Sequence, residues 1–126
     1  MDMDEIDELS HQIIGYAIEV HKHLGPGLLE SAYQKCLAYE FSHAHILFEL
    51  EKPIPVKYKD TILDCGFRAD IIVNNSIILE IKAVEQLLPI HEAQLLTYMK
   101  LTQIRLGMLI NFNVKLLRDG IKRMIL

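Results

Sequence analysis

Cysteine is scarce: Cys36 and Cys65 are the only two in 126 residues. That is too few for a disulfide scaffold, and their spacing lacks the paired pattern of a zinc site, so both read as reduced and structural. Long apolar runs are missing too. None approaches the roughly 18 residues that span a bilayer. The acidic start from Met1 to Glu8 has no hydrophobic signal core. A cytoplasmic protein with no membrane partner is therefore expected. There is no glycine-rich phosphate loop, and Ser10 and Ser31 lack the His–Asp partnership of nucleophilic hydrolysis. His21/His23 and His43/His45 stand two apart, so neighbours diverge. With no cysteine to complete a zinc set, they read as solvated side chains.

A strong basic balance is also lacking, since the net charge is −4. Asp2, Asp4, Glu5, Asp7 and Glu8 supply five of the negative charges, so residues 9–126 carry a net +1. The C-terminal stretch holds Lys115, Arg118, Lys122 and Arg123 against Asp119. That modest basic end falls short of a nucleic-acid footprint, and charge leaves the partner open.

What is present is ordinary globular composition, 51% apolar and 24% charged, at a length that suits one domain with one core. No repeat or linker interrupts it. Leu9, Ile13, Ala17, Val20 and Leu24 form an apolar stripe that predicts a helix over 7–24, ended by Gly25-Pro26-Gly27. Leu29, Tyr33, Leu37 and Phe41 predict a second helix over 28–44. Strand candidates follow at 46–50 and 53–58, the latter an edge strand by its prolines. Residues 67–73 and 77–84 are strong strands joined by Asn74-Asn75-Ser76. Pro89 opens a third helix, 90–102. Residues 106–111 read as a buried strand, Asp119-Gly120 as a turn and 121–126 as a last strand. Without the first helix the order is α-β-β-β-α-β.

The strand pair carries the chemistry. Asp70 lies in the first strand; Glu80 and Lys82 lie in the second and share one face, because strand side chains alternate with period two. Leu79 and Ile81 point to the other side. A three-residue Asn74–Ser76 loop sets Val73 opposite Ile77 and Asp70 opposite Glu80, with all three polar groups on one face. A two-residue loop slips the register by one and puts Asp70 and Glu80 on opposite faces. Two converging carboxylates repel unless a proton or cation intervenes, and Mg²⁺ is a hard ion suited to oxygen ligands. Such an ion polarises a phosphate oxygen and activates water, while Lys82 orients that water or offsets developing charge. The reaction would be phosphodiester hydrolysis. The plain alternative is an exposed strand face with a cross-strand ion pair.

Further strings carry a resemblance. Gly27-Leu28-Leu29-Glu30-Ser31-Ala32-Tyr33 fits GxxExxY. Together with Asp70, Glu80-Ile81-Lys82 and Gln94, the chain resembles the GxxExxY family of prokaryotic proteins within the PD-(D/E)xK nuclease superfamily, from Ile13 through the Asn111-Phe112-Asn113 segment to the C-terminus. The resemblance implies an α/β fold of α+β, mixed-sheet type. Residues 26–126 would be a restriction-endonuclease-like core and residues 1–25 an additional N-terminal helix, all in one nuclease-like domain. It implies a Mg²⁺- or Mn²⁺-dependent nuclease acting on DNA or RNA. The alternative is a non-catalytic module that binds nucleic acid or a protein. A homodimer or protein partner is compatible with either. Carried over residue by residue, Asp70 and Glu80 are metal ligands, Lys82 is the catalytic lysine, and Glu30 completes the site as a catalytic or metal-binding acid. Glu30 also suits its helix N-terminus as a capping charge. Tyr33 shares its face as a weak substrate contact or a core residue with its hydroxyl at the surface. Gln94 and Tyr98 resemble the QxxxY motif of RecB-type nucleases, Gln94 toward a metal-bound water or a phosphate and Tyr98 toward nucleic acid. Ala69 stands where many of these nucleases have proline, and it carries no chemistry.

Overall fold

A computed structural model describes residues 1–126. Helix α1 (Met3–Leu24) starts four residues before the predicted boundary. Asp2 is its N-cap: the Asp2 carboxylate accepts from Glu5 N at 2.9 Å, and Asp2 N donates to Glu5 Oε1 at 3.2 Å. The acidic start is thus the first helical turn, where negative charge is favoured. The stripe Ile6, Leu9, Ile13, Ala17 and Val20 is buried, and Gly25 closes the helix at φ 68°.

Helix α2 (Glu30–His43) buries Tyr33, Leu37 and Phe41. Then come β1 (Phe48–Pro53), β2 (Val56–Tyr58), β3 (Thr61–Leu63), β4 (Arg68–Val73) and β5 (Ile77–Lys82). Helix α3 (Pro89–Thr102), β6 (Leu106–Asn111), a single 3₁₀ turn (Leu117–Gly120) and β7 (Ile121–Ile125) complete the chain. The predicted strand at 53–58 divides. Pro53 ends β1, and Val56–Tyr58 turns back through Lys59 (φ 55°) to pair with β3 as a separate hairpin. That third short strand was not expected.

The main sheet runs β1-β4-β5-β6-β7. Only β5–β6 is parallel, with α3 as its crossover. Edge strand β1 sits beside β4. Helices α1 and α2 cover one face, where Ile71, Val73, Leu79, Ile81 and Met108 meet the α1 and α2 stripes. Helix α3 covers the other, packing Leu95, Tyr98 and Met99 on Ile72, Ile78 and Leu109. Gly107 allows that close approach, since a Cβ there would lie 2.8 Å from Met99 Sδ. Three helices and a mixed five-stranded sheet give the expected α+β class. No helix is long and apolar enough to cross a membrane.

Candidate active site

The β4–β5 hairpin decides whether the acids meet. Asn74 and Asn75 both hold positive φ (49° and 51°), a conformation asparagine tolerates better than most residues. Val73 pairs with Ile77, Ile72 with Ile78 and Ile71 with Leu79. This is the three-residue-loop register, the one that directs Asp70 toward Glu80. The regular ladder stops at Ile71–Leu79. Beyond it, side chains take over the backbone's partners. Asp70 N donates to Glu80 Oε2 at 2.8 Å, and Ile81 N donates to Asp70 Oδ2 at 2.7 Å. Each carboxylate is therefore anchored on the other's strand, and Asp70 Oδ1 and Glu80 Oε1 accept no hydrogen bond from the protein.

The electrostatics follow from that placement. Burial raises the Glu80 pKa from 4.5 to about 8, with the Asp70 charge adding to it. Burial likewise raises Asp70 from 3.8 to about 6; the Ile81 N–H and the Lys82 charge oppose the rise, while Glu51 and Glu30 add to it. Lys82, half-buried at the end of β5, forms no ion pair with either acid, so a simple cross-strand salt bridge is not what holds these residues here. Two closely placed hard oxygen donors with free lone pairs fit a Mg²⁺-type cation, which binds through one or two carboxylates and keeps its waters.

Glu30 is the first residue of α2, and its Oε2 accepts from Ala83 N at 3.3 Å, just past Lys82. It does not converge with Asp70 and Glu80: no three His, Cys, Asp or Glu side chains gather into a metal-holding cluster. Of its two expected roles, Tyr33 takes the core one. It is fully buried, its hydroxyl donates to Gly25 O at 2.6 Å and accepts from Leu28 N at 3.1 Å, and its ring stacks on Phe112 at 4.4 Å. A side chain so engaged touches no substrate, and its hydroxyl is not at the surface. In structural terms GxxExxY is a loop lock: Gly27 takes φ 96°, Tyr33 pins the loop, and Glu30 is delivered to the end of β5.

Gln94 is exposed on α3 and donates to the Tyr98 hydroxyl at 3.2 Å. Tyr98 is buried on the sheet face, and its pKa is raised by burial and by the Glu80 and Asp70 charges. Both tyrosine and glutamine line a groove of about 470 Å³ with Phe67, Ile90 and His91.

Two contributors escaped sequence reasoning. Glu51, opposite Asp70 on β1, holds φ 50° within the strand; Gln34 Nε2 donates to its carboxylate at 3.0 Å and to Asp70 O at 3.4 Å. One acid in the Glu49–Glu51 alternation carries no motif that marks it. Asn111, buried in β6, donates to Val84 O at 2.9 Å and accepts from Val84 N at 3.1 Å. It extends the β5–β6 pairing past Lys82 with a side-chain amide. Its one mark in the sequence is a polar residue ending an apolar strand.

No curated protein and no solved structure matches the chain. A family model of the PD-(D/E)XK nuclease superfamily matches residues 7–124. That span contains the paired acids, the lysine two residues on and the mixed sheet that presents them, in keeping with a restriction-endonuclease-like fold, and the chain belongs to the PD-(D/E)XK nuclease superfamily.

Proposed function

We propose that the protein is a divalent-metal-dependent nuclease of GxxExxY type that hydrolyses phosphodiester bonds of DNA or RNA. The observation that carries this reading is the pair Asp70–Glu80, desolvated, cross-anchored and left with one free oxygen each. Asp70 and Glu80 are the residues that hold Mg²⁺ or Mn²⁺. The cation, when bound, supplies Lewis-acid polarisation of a phosphate oxygen and of a water. Lys82, free of an ion pair, presents its ammonium to the phosphate or to the attacking water. Glu30 adds negative charge at the same end of the site and steadies Ala83. The Gln94–Tyr98 pair leaves the phenolic proton free to donate to substrate in the groove beside Phe67. The whole chain acts as one unit, with α1 closing the far face of the sheet.

Labelled single- and double-stranded DNA and RNA, incubated with Mg²⁺ or Mn²⁺, test the reading. Cleavage by wild type that disappears in folded Asp70→Asn and Lys82→Ala variants is expected. The absence of a three-ligand cluster favours one competing reading, a nucleic-acid- or protein-binding module. Failure of wild type to cleave, together with no calorimetric binding of either cation, selects that module.

A further inference from the structure

Two of the four C-terminal cations, Lys115 and Arg118, gather with Lys22 in one groove, whereas Lys122 and Arg123 pair with Glu92 and Asp7. A groove of about 530 Å³ lies between the end of α1 and the segment that follows β6. Lys22, Lys115 and Arg118 line it over Ile18, His21 and Leu117, and no acidic side chain does. None of the three cations forms an ion pair. Lys22 answers the C-terminal dipole of α1. Lys115 and Arg118, on a loop and a single 3₁₀ turn, have no such task.

The groove is built into the molecule. His21 Nε2 bonds Val114 O at 2.8 Å, which fixes the backbone carrying Lys115. On the other wall, Gly25 O accepts from Tyr33, Tyr33 stacks on Phe112, and Phe112 N donates to Lys82 O at 2.9 Å. Three direct contacts thus tie the groove wall to the strand end that bears Lys82.

We infer that this cationic groove is a second nucleic-acid contact, seating a phosphodiester backbone that continues from the Asp70–Glu80–Lys82 site. The inference rests on the nuclease reading for the identity of its occupant. Charge complementarity carries it: a chain of net −4 concentrates three unpaired cations in a groove that no acid lines. Each cation that meets a phosphate releases counterions, so the contact is salt-dependent.

The test is fluorescence anisotropy with a labelled single-stranded oligonucleotide, DNA and RNA in turn, in EDTA so that binding is read without cleavage. Lys115→Gln/Arg118→Gln is compared with Lys100→Gln/Arg105→Gln, which changes net charge equally at exposed, unpaired positions outside the groove. The groove variant is expected to bind about tenfold more weakly, with a log–log salt slope reduced by about 1.4 for two lost contacts. The control should stay close to wild type. Equal losses in both variants, no loss in either, or no binding by wild type overturns the inference. So does a wild-type dimer that the groove substitutions dissociate with oligonucleotide binding unchanged, for then the groove seats the acidic first turn of a second copy. Groove-dependent binding with no cleavage under any divalent cation keeps the groove and sinks the hydrolase. Cleavage with binding unaltered by the substitutions does the reverse.

Discussion

A carboxyl group with a pKa of about 8 carries a proton at neutral pH until something replaces it. Glu80 is that group, and Asp70 at about 6 is its mostly ionised neighbour. Cation binding at pH 7 is therefore expected to expel about one proton from Glu80. Calorimetric titration of Mn²⁺ in two buffers of different ionisation heat measures it; equal heats in both would contradict the protonated Glu80. Glu80→Gln keeps an acceptor for Asp70 N while removing the buried charge. It should abolish cation binding and leave the metal-free fold at least as stable at pH 8, read by urea denaturation. Tyr33→Phe removes one donated and one accepted hydrogen bond and should cost about 1–3 kcal/mol in the same assay. A smaller loss would mean the loop lock is weak.

At the scale of elements, two glycines discriminate soft from rigid packing. A Cβ at Gly107 meets the movable ends of Met99 and Leu95, at 2.8 and 2.9 Å. Gly107→Ala is expected to shift α3 slightly and cost about 1–3 kcal/mol. A Cβ at Gly120 would sit 2.1 Å from Asn111 O, a backbone atom that cannot retreat without disturbing β6. Gly120→Ala should destabilise more, and thermal melts of the two variants rank them. The same elements show what the sequence made legible. Alternation and the asparagine turn revealed β4, β5 and their facing acids because local patterns dictate both. The β2–β3 hairpin escaped notice because a lysine, Lys59, takes the positive φ of its turn in place of glycine or asparagine, and its strands bury almost nothing. The roles of Glu51 and Asn111 depend on partners distant in sequence, which no local pattern encodes.

Over the whole molecule, the two raised carboxyls set the pH dependence of stability. Folding takes up protons wherever the folded pKa exceeds the unfolded one. For Asp70 that window runs from 3.8 to about 6, and for Glu80 from 4.5 to about 8. Their contribution is full below these windows and is lost as pH rises through them, at up to about 1.4 kcal/mol per pH unit per proton. Metal-free protein should thus lose stability between pH 5 and 8 relative to an Asp70→Asn/Glu80→Gln variant, and saturating Mg²⁺ should remove most of the difference. Denaturation midpoints across that range decide it, and parallel profiles would contradict the assigned burial. The reciprocal anchoring of Asp70 and Glu80 has an evolutionary consequence as well. Each acid rests on the other's strand, so a lineage that discards one loosens the seat of its partner. The two positions should be inherited, or allowed to drift, as a single character.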